Sequence, residues 1–198
     1  MITPSHVAYN LFLLGKKERP QILFAIICGA IFPDIFSTGY FLWNGVIQKV
    51  PPDILWGDLY LHSLWTPLFQ LAHSFWLLPL MFLIALYWKK RWAAFFWGSA
   101  LLHAVMDFTV HHQDAYRHFY PFSDWKFESP VSYWDVAYYG LWVSRAEMLL
   151  AFGACIVLFR RASTRWGKLF CVLAASGFLA MFILGFTQGV LHERMMGG

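Results

Sequence analysis

Residues 21–43 read QILFAIICGAIFPDIFSTGYFLW, a run whose only charged side chain is Asp34. At about 1.5 Å rise per residue a helix of this run is roughly 35 Å long, enough to cross a hydrocarbon core of about 30 Å. The run therefore predicts a membrane-spanning helix. Working outward, residues 64–87, 93–110, 136–159 and 169–191 are runs of the same character, separated by polar or basic breaks. Residues 4–15 are apolar but too short to span, and Lys16 to Pro20 end them. The expected fold is all-α: a polytopic membrane helix bundle of about five spans plus a short N-terminal half-helix, one transmembrane domain over residues 1–198.

Composition excludes the soluble alternatives. Hydrophobic residues make up 59% and charged residues 13%, against roughly 25% charged in an ordinary globular domain. The formal charge of +4 does not point to nucleic acid, because the basic residues sit in short clusters between apolar runs. Those clusters, at 16–19, 89–91 and 160–168, fall on one side of a five-span bundle. The positive-inside rule makes that side cytoplasmic, in a bacterial-type inner membrane, with loops 44–63 and 111–135 outside. The N-terminal MITPSHVAYN has neither a basic n-region nor a small-residue cleavage site and does not read as a signal peptide. Cys28, Cys155 and Cys171 lie in apolar runs without a CxxC pair and read as small buried residues.

Ionisable residues inside a span are costly and mark function. This chain carries Asp34, His73, His103, Asp107, Arg145 and Glu147 within its apolar runs, and His6 in the half-helix. Counted from the basic side at about 1.5 Å per residue, His6 lies roughly 15 Å deep, His103 roughly 17 Å, Glu147 roughly 18 Å, Asp34 and His73 roughly 21 Å and Asp107 roughly 22 Å. They share a slab less than about 10 Å thick. His103 and Asp107 are four apart in GSALLHAVMDF, so they share one helix face and can hold one ion or bond each other. Asp34 follows Pro33, which frees a carbonyl and bends the span. Three His and two Asp form a suitable oxygen and nitrogen set for zinc or for a pair of divalent ions.

The pieces TPSH at 3–6, GAIFPD at 29–34, AHS at 72–74 and GSALLHAVMD at 98–107 occur in an order that resembles the YdjM-like family of membrane-bound, metal-dependent hydrolases. The resemblance covers roughly the first 110 residues. It implies that His6, Asp34, His73, His103 and Asp107 are metal ligands, with a divalent metal such as Zn2+ as cofactor. Two features depart from the family pattern. Its H-R pair before the H-S is missing, with His62 the only nearby histidine, and the second Asp of P-D-x-D is Phe36 here.

Residues 111–135 read as a solvated outer loop with an interfacial aromatic belt. His111, one turn beyond Asp107, is a candidate further ligand or proton shuttle. In the hydrolase reading Glu147 is the general base and Arg145 the holder of a substrate phosphate. The substrate is then an amphiphilic, lipid-like phosphoester reached from the bilayer. Two other readings stand beside it. One is an ion, metal or small-molecule transport or binding protein, which also uses buried His and carboxylates. The other is a structural membrane protein whose polar residues only join helices.

Overall fold

The computed structural model describes residues 1–55, 59 and 63–196, and His62 lies outside the described residues. The described residues form helices and loops without a strand. Helix α1 is Thr3–Leu14, α2 Pro20–Ile31, α3 Ile35–Tyr40, α4 Pro52–Leu55, α5 Thr66–Ala72, α6 Leu77–Tyr87, α7 Arg91–Phe108, α8 Gly140–Arg161 and α9 Arg165–Met196. Proline occupies the first turn of α1, α2 and α5, where its missing N–H costs no hydrogen bond.

Among the described residues, three helical segments are long and apolar enough to cross a membrane: Pro20–Ile47, Gly140–Arg161 and Arg165–Gly185. A fourth is the pair α5 and α6, if their 52° bend is one broken span. The expected run 21–43 is thus one helical column, interrupted at Phe32–Asp34 by a 3-10 turn and widened to a π-helix at Phe41–Ile47. The expected continuous helix over 64–87 is instead broken at His73–Trp76. The expected span from 136 begins as a helix only at Gly140, after a left-handed Tyr139. Helix α7 has 18 residues, but Ser99, His103 and Asp107 keep it short of the apolarity of the other spans.

Helices α1, α2, α7 and α8 pack together, α6 joins on α7, and α9 packs chiefly on α8. Without a hydrophobic force between helices in lipid, close packing and hydrogen bonds must join them. A seam of small and polar residues does this. A Cβ at Gly29 would run into the Phe96 carbonyl oxygen and lie 2.9 Å from Ser99 Cβ, so α2 meets α7 backbone to backbone. Ser99 Oγ donates to the Ile26 carbonyl at 2.6 Å, and Asn10 Nδ2 donates to Ser99 Oγ at 2.7 Å. Three helices are tied at one residue.

The outside of the bundle is apolar. Phe24, Leu83, Leu150 and Leu173 are all exposed, an apolar surface compatible with lipid around it. Exposed tryptophans mark two ends: Trp88, Trp92 and Trp166 at one, Trp43, Trp134 and Trp142 at the other. From Trp142 to Arg161 on α8 the rise is roughly 29 Å, close to the hydrocarbon thickness. The basic clusters gather at the first end. Arg91 Nη2 lies 2.8 Å from Glu18 Oε2, and Arg161 Nη1 donates to the Phe12 carbonyl at 2.7 Å. Several apolar helices with aromatic ends and one basic face are compatible with a membrane protein.

Candidate metal centre

Near the Trp142 end, Asp34, His73, His103 and Asp107 converge, with one ligand atom of each lying within 4.8 Å of all the others. Three elements supply them. Asp34 ends the 3-10 turn after α2, His73 caps α5 at the break, and His103 and Asp107 share a face of α7. The two histidines and Asp107 are buried, and Asp34 is nearly so.

The tautomers are set by the backbone. His103 Nδ1 lies 2.7 Å from the Ala30 carbonyl, and His73 Nδ1 lies 2.9 Å from the Phe69 carbonyl. A carbonyl only accepts, so each Nδ1 carries the proton, and in the neutral ring Nε2 carries a lone pair. Those lone pairs turn toward acceptors. His103 Nε2 lies 3.1 Å from Asp107 Oδ2 and 3.6 Å from Asp34 Oδ1, and His73 Nε2 lies 3.5 Å from Asp107 Oδ2. Buried Nε2 of His73 has no hydrogen-bond partner among the described residues. With both rings neutral, two lone pairs facing two carboxylates away from water call for a cation among them; a second proton on His103 Nε2, shared with Asp107 Oδ2, is the alternative to a metal ion. Backbone-held Nδ1–H with Nε2 presented inward is also how metal-binding histidines are oriented. The residues fit a divalent ion.

Asp107 faces a second group with its other oxygen. Oδ1 lies 2.9 Å from His6 Nε2, 3.4 Å from His111 Nε2 and 2.8 Å from the Met1 nitrogen. His6 is therefore adjacent to the four-residue set through Asp107 rather than one of its members. Its ring stacks on His103, with centroids 3.5 Å apart. Thr3 Oγ1 donates to Asp34 Oδ2 at 2.6 Å. The TPSH stretch thus brings both Thr3 and His6 to the centre.

Glu147 and Arg145 stand beside the centre, not in it. Glu147 is buried, and its Oε1 accepts the Ile2 backbone N–H at 2.9 Å. Consecutive residues, Ile2 and Thr3, thereby hold Glu147 and Asp34. Both Arg145 and Glu147 line a cavity of about 530 Å³ together with Ile2, Tyr133, Ser144 and Phe182. Arg145 sits 5.4 Å over the Trp142 ring.

The loop 111–135 is not simply solvated, as the sequence suggests. His111, His118, Ser129 and Ser132 are buried. Its backbone fills the break between α5 and α6: Phe75 N–H donates to the His118 carbonyl at 2.8 Å, and the Trp76 indole donates to the Tyr120 carbonyl at 2.6 Å. Irregular backbone at membrane depth is tolerated where protein satisfies it. Tyr116 lies flat on His73, centroids 3.6 Å apart.

Asp114 lies 2.9 Å from His111 Nδ1 and accepts the Trp134 indole N–H at 2.9 Å. Burial pushes the Asp114 carboxyl up, but the contacts to His111 and Trp134 outweigh it and hold its pKa below the usual value. Burial likewise works against a charged His111, yet the Asp107 carboxylate raises its pKa overall. Sequence reasoning missed Tyr116 and Asp114. Only the spacing of Asp114, three residues after His111, carries a signal.

No protein-family model, curated protein or solved structure matches the chain. The chemistry of the centre rests on its own residues.

Proposed function

We propose that this chain is a membrane-embedded, metal-dependent hydrolase of the YdjM-like kind, acting on an amphiphilic phosphoester. The observation that carries the reading is the pair of buried imidazoles locked by the Ala30 and Phe69 carbonyls, with Nε2 lone pairs aimed at Asp34 and Asp107. Five spans, with α7 and the bent α5–α6 pair each crossing once, put the basic face in the cytoplasm and the loop 111–135 outside. Sequence order supports the same count.

Asp34, His73, His103 and Asp107 hold the ion, and His6 braces Asp107 from its outer oxygen. When bound, a divalent ion such as Zn2+ supplies Lewis-acid polarisation and makes water acidic enough to act near neutral pH. Glu147 is the proton acceptor. Its Oε1 is fixed by Ile2, and its Oε2 has no hydrogen-bond partner among the described residues. Arg145, on the wall of the same 530 Å³ cavity, binds and orients a phosphate. Tyr133 and Phe182 narrow the cavity and limit water.

The test is the metal content of the detergent-purified protein by elemental mass spectrometry, beside His103→Ala and Asp107→Asn. About one or two equivalents of a transition metal, lost in variants that still fold, is the expected result and opens a phosphoester screen. No metal after reconstitution overturns the reading and moves the buried His and Asp to a proton path or to helix packing.

A further inference from the structure

A second, larger cavity, of about 980 Å³, begins at the basic face. It lies between α1, α2, α8 and α9, and Val7, Leu11, Leu23, Ile27, Leu158 and Phe170 line it. Helix α9 packs chiefly on α8, so the cavity is the gap that α9 leaves against α1 and α2. Among the described residues, its charged lining is confined to one end. There Lys17 and Glu18 come from the turn between α1 and α2, and Arg161 from the end of α8. The groove is open along its side, flanked by the exposed Ile31, Phe170 and Leu173.

We infer that this groove binds one anionic phospholipid of the leaflet on the basic side, with its phosphate at Lys17 and Arg161 and an acyl chain rising toward the level of Thr3. The inference does not rest on the hydrolase reading.

Charge sets which way the lipid points. Glu18 is already engaged, with Arg91 Nη2 lying 2.9 and 2.8 Å from its two carboxylate oxygens. The rim of the groove therefore presents a net positive charge through Lys17 and Arg161. Arg161 gives one N–H to the Phe12 carbonyl at 2.7 Å, which holds a guanidinium with five donors at the mouth. Basic pockets between transmembrane helices bind anionic lipid head groups, and a guanidinium matches phosphate in shape as well as charge. Depth shows that the anion carries a chain. Thr3 and Ile31, at the far end of the groove, stand eleven residues from Leu14 and Pro20, where α1 and α2 meet the basic face. That distance is roughly 17 Å along either axis, and one leaflet's hydrocarbon is about 15 Å deep. The groove thus runs from head-group level to the midplane, as an acyl chain of that leaflet does. A small water-soluble anion would use the rim and leave the apolar length to water, which gains nothing there. The end of the chain, not the head group, comes nearest the metal centre.

The experiment strips the full-length protein of lipid in detergent and returns dioleoyl phosphatidylglycerol or dioleoyl phosphatidylcholine at equal concentration. Native mass spectrometry then counts the bound lipid. One phosphatidylglycerol per chain is expected, retained several-fold better than phosphatidylcholine. Lys17→Gln with Arg161→Gln should bring phosphatidylglycerol down to the level of phosphatidylcholine. Lys17→Gln alone should move it in the same direction, and serves where loss of the Arg161 contact to Phe12 prevents folding. Ala174→Trp fills the groove from α9 and should remove the bound lipid whatever its head group. Val7→Trp fills it from α1 and serves where Ala174→Trp does not fold. Leu83→Trp, on the outward surface, should leave binding unchanged. Equal retention of the two lipids by wild type overturns the inference. So does phosphatidylglycerol binding that is unmoved by the charge variants or by either groove tryptophan, which would mean lipid held elsewhere on the apolar surface.

Discussion

The imidazoles of His6 and His103 lie face to face, with 3.5 Å between ring centroids and 11° between planes. They do different work. His103 belongs to the four-residue set, whereas His6 meets only the outer oxygen of Asp107. His6→Phe keeps a stacked ring and removes the Nε2 contact. It should retain the metal with affinity weakened about 10- to 100-fold, as for the loss of an outer partner. His103→Phe should abolish binding. Zinc titration with a competing chelator distinguishes the two, and equal loss in both would make His6 a ligand of equal rank.

Thr3→Val removes the hydroxyl on Asp34 without changing side-chain shape. We expect about 10-fold or greater loss of metal affinity with unchanged melting. Thr3→Ser should restore it. A Thr3→Val protein with full affinity would show that Asp34 orients itself without α1.

Gly29 and Gly153 make opposite predictions for one substitution. Gly29→Ala drives a methyl into the Phe96 backbone and should destabilise by about 1–3 kcal/mol. Gly153 has open space around its Cβ position, so Gly153→Ala should be neutral or stabilise by up to about 1 kcal/mol. Unfolding in mixed detergent reads both. Matching effects would disprove the backbone contact of α2 with α7.

His118 is buried between Phe75 and Phe108, with Trp125 beside it. Burial lowers its pKa below the ordinary histidine value. A base with a depressed folded pKa contributes stability that is complete above its unfolded pKa and is lost as pH falls through the folded one. Wild type should therefore lose stability relative to His118→Phe as pH falls below about 6.5, by at most about 1.4 kcal/mol per unit. Melting curves of the pair across pH 7 to 5 test this. A constant difference would mean that His118 titrates alike in the folded and unfolded chain, and so is not shielded from water.

Sidedness has its own test. With the native cysteines replaced, single cysteines at Lys17, Lys90 and Ser163 should share one labelling side, and cysteines at Gln113 and Asp124 the other. A membrane-impermeant maleimide on right-side-out and inverted vesicles reads this. Position 90 labelling with position 124 would break the five-span arrangement.

Much of the centre was legible because membrane burial makes polar residues conspicuous. Asp34, His73, His103 and Asp107 stood out by type, and their similar depth anticipated their meeting. His6 was legible in TPSH, but its place on Asp107 Oδ1 depends on how α1 leans against α7 and α8. The number of spans was harder to read, because the site residues of α7 lower its apolarity. The break at His73 left a trace only in Pro79, which has no N–H to give the Phe75 carbonyl of a continuous helix. What stayed hidden is the tertiary part: the carbonyl of His118, more than forty residues along the chain, accepts the Phe75 N–H that a straight helix would have kept, and the Tyr120 carbonyl accepts the Trp76 indole. The burial of loop 111–135 was hidden for the same reason.

That exchange of bonds also fixes how the protein can vary. The bend after α5 and the loop over it complete one another's backbone, so neither has a free-standing alternative. Shortening the loop strands the N–H of Phe75, and straightening the helix strands the carbonyl of His118. The two stretches must be inherited, transplanted or redesigned as a single piece, although the whole of α6 and α7 lies between them in the chain.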